Sequence, residues 1–483
     1  MKINKKMNTL YTGDCLFILH GLNSNSVDMI YLDPPFNSNR NFSAPVGSKA
    51  AGNSFEDMWQ WKDVDEQYLE SIIRDFPYLV QFIQSIEKIS GNAMKSYITY
   101  MTQRIIEMKR VLKDDGSFFL HCDSIASHYL KIVCDRVFGK NNFKNEIIWK
   151  RTFSHGLSSK HFPKVTDRIL FYASKKALWN PQFLKHDENY INKNYRNEDD
   201  IGRYCTQPLT GGKAGGPDAY NEWKGALPSS GRAWAPPKRT SFPENVNLPS
   251  DYESLSIPQK LDVLDKLDLI TWTKNGVPRY KMYLSASKGK AMTDIFEDVP
   301  PLSASSAEKT GYPTQKPLEI LRRLILSSTN EGDIVLDPFC GCATTCVAAQ
   351  QLNRKWIGID ISEVSAKVVM NRLSEDAGIF SDFVHTEKFP TRTDIKIEKV
   401  GKNLKERIYK DQNGKCNACS AQMEIRNFEI DHIIPRSKNG ADTYENFQLL
   451  CGSCNRIKGD RPMEYLMMRI EQINKEMKYK VSF

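Results

Sequence analysis

The sequence predicts an α/β protein: a doubly wound sheet, split by a long insert and followed by a small metal-held module. Three observations carry that expectation. Buried-strand runs alternate with helical stretches on both sides of a central region of different texture. Two of those runs open onto an acid or a glycine turn. Four cysteines near the C-terminus come in two tight pairs.

Length and composition set the frame. At 483 residues the chain calls for two or three domains, and 40% hydrophobic with 26% charged residues is a globular composition. No apolar run reaches the roughly 18 residues of a membrane span, and the N-terminus MKINKKMNTLYTGD lacks the apolar stretch of a secretory signal. A cytoplasmic protein is expected, in a bacterial or phage-infected cell, with no membrane partner. Seven of the 11 cysteines are scattered, which reads as a reduced chain with one metal site and not a disulfide framework. The net charge of +9 is mild, but residues 391–483 hold 18 Lys+Arg against 13 Asp+Glu, so a nucleic acid is a reasonable partner there.

The elements follow in order. A turn at Gly13-Asp14 leads into a helix from Cys15 to Leu22, and the apolar run Val27–Leu32 is a buried parallel strand opening onto Asp33. A helix is expected from about Met94 to Leu112, then turn chemistry and a strand in DDGSFFLHCD; NEIIWKRTFSH and DRILFYAS continue the sheet. From about 177 to 300, Trp, Tyr, Gly, Pro and Lys interleave without periodicity, the texture of a loop-rich insert. TQKPLEILRRLILSS is a helix with Pro317 in its first turn, DIVLDPF a strand, TTCVAAQQL a helix and KWIGIDI a strand. The expected division is 1–176 and 301–385 for the two halves of one sheet domain, 177–300 for the insert, 386–402 for a linker and 403–483 for a terminal module.

Two segments carry chemistry. Asp337-Pro338-Phe339-Cys340-Gly341 places a glycine turn between a buried strand and a helix, where open α/β sheets bind ligands. The next strand ends at Asp360, placed to accept hydrogen bonds from a ribose. One glycine, where a dinucleotide site needs three, fits S-adenosylmethionine better than a pyrophosphate. The second segment is Asp33-Pro34-Pro35-Phe36. The exocyclic nitrogen of adenine is a weak nucleophile because its lone pair is delocalised. The Asp33 carboxylate and the Pro34 carbonyl, in a backbone stiffened by Pro35, can accept its two N–H bonds, and Phe36 can stack on a base rotated out of the duplex.

With these residues in place, the chain resembles the permuted (beta) class of DNA adenine-N6/cytosine-N4 methyltransferases, in which the catalytic motif precedes the cofactor motif. The resemblance spans about 8–375 through GDCLFIL, DPPF, LKDDGSFFLHCD, NEIIWKR, GVPRYKMYL, GYPTQKPLEIL and LDPFCGCATT, in that order. It implies a Rossmann-like methyltransferase sheet in which Asp337, Phe339, Gly341, Thr345, Asp360 and Lys316 surround the cofactor and Asp14 reads its adenine. It also implies that the insert recognises the DNA sequence. Ala343 departs from the family, where glycine is more usual. An acid at 33 favours adenine, because cytosine-N4 relatives usually begin this motif with serine. A cytosine-C5 enzyme is set aside, since the chain has no Pro-Cys dipeptide.

Cys416-x2-Cys419 and Cys451-x2-Cys454 are two knuckles suited to a structural Zn2+. With Asp431-His432, Asn446 and Asn455 around them, the region resembles an HNH nuclease of ββα-metal fold. That resemblance implies His432 as general base, Asp431 and Asn455 as ligands of a catalytic Mg2+ (or Mn2+), and Asn446 orienting the loop. The resulting expectation is a site-specific adenine-N6 methyltransferase of double-stranded DNA joined to an endonuclease, in the manner of a one-chain restriction-modification enzyme. The alternative is an orphan methyltransferase, adenine-N6 or cytosine-N4, whose zinc tail only binds DNA; an RNA methyltransferase is disfavoured by the large insert. The sequence does not distinguish a monomer from a homodimer.

Overall fold

The computed structural model describes residues 8–473 apart from 38–39, 45–47, 49, 51–53, 58–59, 61–62, 65–71, 74, 153–159, 213–215, 304, 378–382, 397, 462, 464 and 471. The end of the NEIIWKRTFSH stretch, from 153, lies outside the described residues. Contact density separates two units, residues 1–180 with 293–483, and residues 181–292.

The first unit is built on a nine-stranded sheet. In chain order its strands are β1 (Thr9–Thr12), β2 (Val27–Leu32), β3 (Leu112–Cys122), β4 (Phe143–Lys150), β5 (Thr166–Ala173), β6 (Ile295–Phe296), β7 (Ile334–Asp337), β8 (Lys355–Asp360) and β9 (Val384–Thr386). They lie side by side as β6-β4-β5-β3-β2-β7-β8-β1-β9. The run from β3 through β2, β7, β8 and β1 to β9 is parallel, while β5 is antiparallel to both β3 and β4. The continuation foreseen for β4 and β5 is therefore a reversed hairpin.

Strand alternation sorts the side chains into two cores. Ile30 and Leu32 belong to the core on the side of helices α1 (Cys15–Gly21), α2 (Pro77–Val111) and α3 (Ala126–Cys134), with Leu19, Met101 and Leu130 in the same cluster. Met29 and Tyr31 belong to the opposite core, on the side of α4 (Leu318–Ser328), α5 (Thr344–Gln351) and α6 (Glu363–Ala377), with Leu324, Val347 and Val369 in the same cluster. Within α2 the backbone leaves helical geometry at Gly91 (φ 82°, ψ 176°), so the span is two helical segments meeting at a kink, and the helix expected from about Met94 is the second of them. Pro317 caps α4 from just outside its first turn.

Two stretches differ from the sequence expectation in kind. The region read as loop-rich contains, in the second unit, a four-stranded antiparallel sheet of 270–272, 278–283, 202–208 and 197–199. Its core mixes aromatic and aliphatic side chains, with Trp223, Trp234, Tyr252 and Tyr283 buried beside Leu261 and Leu264. Indole N–H groups satisfied by Asp262 and by the Asn221 carbonyl let loop tryptophans fill a core without helical or strand periodicity. The stretch read as a linker, 386–402, is fastened down just after β9: Thr393 and Asp394 hydrogen-bond Asn23 and Ser24. Among the described residues no helix is long and apolar enough to cross a membrane.

The terminal module comprises α7 (Lys402–Asp411), the hairpin β10 (Phe428–His432) and β11 (Phe447–Cys451), and α8 (Gly452–Lys458). Leu404, Ile408, Phe428, Leu449, Leu450 and Leu466 form its small core, alongside three of the four paired cysteines.

Candidate active site and metal centre

Strands β2 and β7 are parallel neighbours, with Leu336 opposite Ile30. The chain leaves β2 through α2 toward β3 on one side and leaves β7 through α5 toward β8 on the other. The winding reverses between them, and a crevice opens at their carboxyl ends. Its cavity, about 1170 Å³, is lined by Asp33, Pro34, Pro35 and Phe36 from one strand end, and by Asp337, Phe339, Gly341, Thr345 and Asp360 from the other. Asp14 and Lys316 complete the lining, so the residues of both motifs share one space although some three hundred positions separate them in the chain.

The glycine turn is shaped by its geometry. Gly341 has φ +51°, and a Cβ there would stand 3.0 Å from the Tyr312 ring. Asp360 accepts hydrogen bonds from the amides of Gly341 and Ser362, both at 2.9 Å; Asp337 accepts from the Phe339 amide at 3.0 Å and the Thr345 hydroxyl at 2.6 Å. Burial pushes the Asp337 carboxyl up to about 7, with Thr345 and Phe339 opposing, and burial pushes Asp360 up to about 6. Ala343 is left-handed at φ 58°, which explains why glycine would be at ease there. A sulfonium and an α-ammonium are cations, and Asp337 and Asp360, the crevice acids not paired with a Lys or Arg as Asp14 and Asp33 are, suit them.

Asp33 and Lys316 form an ion pair through Oδ2, while Asp33 Oδ1 is buried with no hydrogen-bond partner among the described residues. Phe36 lies roughly parallel to His121, ring centroids 6.1 Å apart, with Lys316 Nζ 5.5 Å from its own centroid. Asp14 caps α1 through the Leu16 amide, and both its oxygens accept from Arg104, a buried guanidinium stacked 3.2 Å over the Tyr100 ring.

A further set of polar residues went unassigned in the sequence. Tyr31 Oη lies 2.9 Å from His121 Nδ1, and His121 Nε2 lies 3.2 Å from Asp167 Oδ2; Arg151 Nε approaches the other Asp167 oxygen at 3.1 Å. Burial works to raise the Asp167 carboxyl, but the His121 hydrogen bond and the charges of His121, Lys316 and Arg151 hold it below its ordinary value. Tyr31, Asp167, Arg151 and Trp149 line the crevice beside Phe36. The available signal was a polar residue inside an apolar strand, histidine in FFLHC and aspartate before RILFYA, which calls for a partner once buried.

In the terminal module the sulfur atoms of Cys416, Cys419, Cys451 and Cys454 all lie within 4.8 Å of one another. The Cys419–Cys451 separation of 3.9 Å compares with the ~3.8 Å edge of a tetrahedron with ~2.3 Å metal–sulfur bonds, so the donor set fits a structural zinc. His432 Nε2 lies 2.8 Å from Asp442 Oδ1, and Arg436 holds the same carboxylate. Asn446, buried, accepts from the Ile434 amide and donates to the Ile434 and Ala441 carbonyls, fastening the loop between the strands. Gly440 is needed there, since a Cβ would meet the Ile434 carbonyl at 1.8 Å. Asp431 and Glu429 share one face of β10 and both meet α8. Asp431 pairs with the buried Lys458 at 3.0 Å and accepts from Gln448; Glu429 accepts from the Asn455 amide. The oxygen donors suit a hard divalent ion, but an ammonium already occupies the Asp431 carboxylate.

Residues 27–371 match the family described as DNA methylase, and residues 416–461 match HNH endonuclease. The type II methyltransferase M.EcaI of Enterobacter cloacae is 34% identical over 297 residues, 60% of this chain and 60% of that protein. The type III restriction-modification enzyme StyLTI Mod subunit of Salmonella typhimurium is 27% identical over 370 residues, 73% of this chain and 51% of that one. DNA adenine methyltransferase YhdJ of Escherichia coli is 23% identical over 372 residues, 77% and 84% of the two chains. This chain thus spans 60% and 51% of the first two relatives. The first match covers well over half of the sequence and both strand ends of the crevice, and the chain belongs to the DNA methylase family with an HNH endonuclease domain behind it.

Proposed function

We propose that this protein methylates the exocyclic N6 of an adenine flipped out of duplex DNA, at a site chosen by the unit 181–292. The observation that carries the reading is Asp33 Oδ1, a buried acceptor without a hydrogen-bond partner among the described residues, in the crevice shared with the Gly341 turn. The Asp337–Thr345 turn and Asp360 would hold S-adenosylmethionine, which would supply the methyl group as its sulfonium S–C bond breaks to leave the thioether, the amine losing one proton to water. Asp33 Oδ1 and the Pro34 carbonyl accept the two amino N–H bonds, which turns the nitrogen lone pair toward that methyl, and Phe36 stacks on the base. The acid at 33 favours adenine over cytosine-N4. Methylation-aware sequencing of DNA from cells expressing the chain, beside an Asp33→Ala control, tests this: N6-methyladenine at one recurring sequence, absent in the control, is expected. N4-methylcytosine would move the assignment to the other amine, and unmodified DNA would refute it.

The terminal module is proposed as a metal-dependent endonuclease acting on the same DNA, with His432 as the base, its ring held by Asp442 beside a loop fastened by Asn446. Asp431 and Asn455 would hold Mg2+ or Mn2+. A second reading, a zinc-held DNA tether without cleavage, is favoured by the Lys458 ammonium at Asp431. Unmethylated plasmid incubated with Mg2+ or Mn2+ separates them: wild type cuts and His432→Ala does not under the first, and neither cuts under the second.

A further inference from the structure

Lys316 is placed by the family resemblance around the cofactor, but its surroundings in the structure point elsewhere. It is only 8% exposed, and its ammonium is committed to Asp33 Oδ2, with the Thr314 carbonyl as a weaker second acceptor at 3.4 Å. The backbone that presents it is clamped on both sides. Gln315 Oε1 accepts from the Thr310 amide at 2.8 Å and the Thr310 hydroxyl at 2.9 Å, and its amide donates to the Glu308 carbonyl at 2.7 Å. The Glu308 carboxylate in turn accepts from the Leu318 amide at 3.0 Å, at the start of α4. A buried ammonium delivered by so constrained a loop is aimed, and its target is one oxygen of the carboxylate whose other oxygen has no hydrogen-bond partner among the described residues.

We infer that Lys316 is a positioning residue for Asp33 and not a cofactor ligand: it fixes the carboxylate so that Oδ1 alone faces the target amine. This rests on the reading of Asp33 given above. Two physical reasons support it. A carboxylate with no fixed partner rotates about its last bond and presents either oxygen, whereas an ion pair with one oxygen selects the rotamer. An ammonium free in the crevice would also repel a sulfonium, and pairing with Asp33 cancels that charge at its source. The same cation lies over the Phe36 ring, 5.5 Å from its centroid, and holds that ring by a cation–π contact.

The test uses the full chain, tritiated S-adenosylmethionine and plasmid DNA from a methylation-deficient host, with cofactor affinity measured by calorimetry. Lys316→Gln is expected to lower kcat by roughly 10²-fold while the Kd for S-adenosylmethionine stays within about threefold, because the lost interaction acts through Asp33. Lys316→Arg keeps the charge and is expected to recover activity to within about tenfold of wild type. It also serves as the readable variant should glutamine not be tolerated in the fold. A Lys316→Gln protein that binds the cofactor about tenfold more weakly, with kcat at saturating cofactor unchanged, overturns the inference. An Asp33→Ala control separates the two levels: if it is inactive, failure of the Lys316 result falls on this inference alone, and if it is active, the assignment of Asp33 falls and this one with it.

Discussion

Asn439 Nδ2 donates to the Phe17 carbonyl at 2.9 Å, joining residues 422 positions apart, and reaches the Pro390 carbonyl at 3.2 Å. The loop that carries Asp442, the partner of His432, is thereby docked on the first helix of the sheet domain, and the Glu398 amide secures it again by donating to the Asp442 carbonyl at 2.8 Å. Gly21 makes room for the contact, since a Cβ would stand 2.0 Å from the Pro390 oxygen and 2.4 Å from Asn439 Nδ2.

Two substitutions at 439 separate hydrogen bonding from backbone shape. Asn439 has φ 59°, so Asn439→Gly removes only the side-chain bonds and is expected to cost about 1–2 kcal/mol, while Asn439→Ala adds roughly 1 kcal/mol of left-handed strain. Thermal unfolding together with hydrogen exchange over 435–442 reads both. Indistinguishable variants, with exchange in that loop unchanged, would show that the contact does not form in solution.

At the glycine turn, Gly341→Ala meets two obstacles, the positive φ and the Tyr312 ring 3.0 Å from the new methyl. The amide that Asp360 accepts from shifts with it. Cofactor affinity is expected to fall by about tenfold or more, equivalent to about 1.4 kcal/mol. Calorimetry giving wild-type affinity would place the cofactor away from this turn.

Acidification has opposite effects on binding and on stability of the unliganded protein. Asp337 and Asp360, raised to about 7 and about 6 chiefly by burial, take up protons as pH falls through those values, and a cationic cofactor loses two attractive charges. For the unliganded fold the sign is reversed. Acids raised above their unfolded value of ~3.9 destabilise it above about 7, and the penalty is relieved as pH falls toward about 4. Cofactor Kd should rise between about pH 8 and about pH 5.5 while these two groups contribute increasing stability to the unliganded protein. A Kd that is flat over that range would mean that neither carboxylate is near the cation.

Removal of metal should act locally. The core of the module is small, and a tetrathiolate zinc contributes folding energy directly. A strong chelator, or Cys451→Ser, is expected to release one zinc per chain and abolish the protection of 428–458 in hydrogen exchange, leaving β2 and β7 protected. Loss of protection throughout the sheet would instead make the module part of the main folding unit.

The residue types and their local order carried much of this protein's chemistry. Asp33 at a strand end, the turn at Gly341 and the paired cysteines are legible because each is a short-range pattern: alternation and spacing say where a strand stops and which atoms stand together within a few residues. Strand pairing is a different kind of fact. That β2 lies against β7, closing one crevice from motifs three hundred residues apart, is decided by which apolar edges bury each other across the sheet, and no local periodicity encodes that choice. The same holds for Lys316 and Asp33, 283 positions apart, for His121 and Asp167, and for the core of 181–292. Sequence marks a buried polar group as needing a partner; only tertiary packing decides which partner it receives.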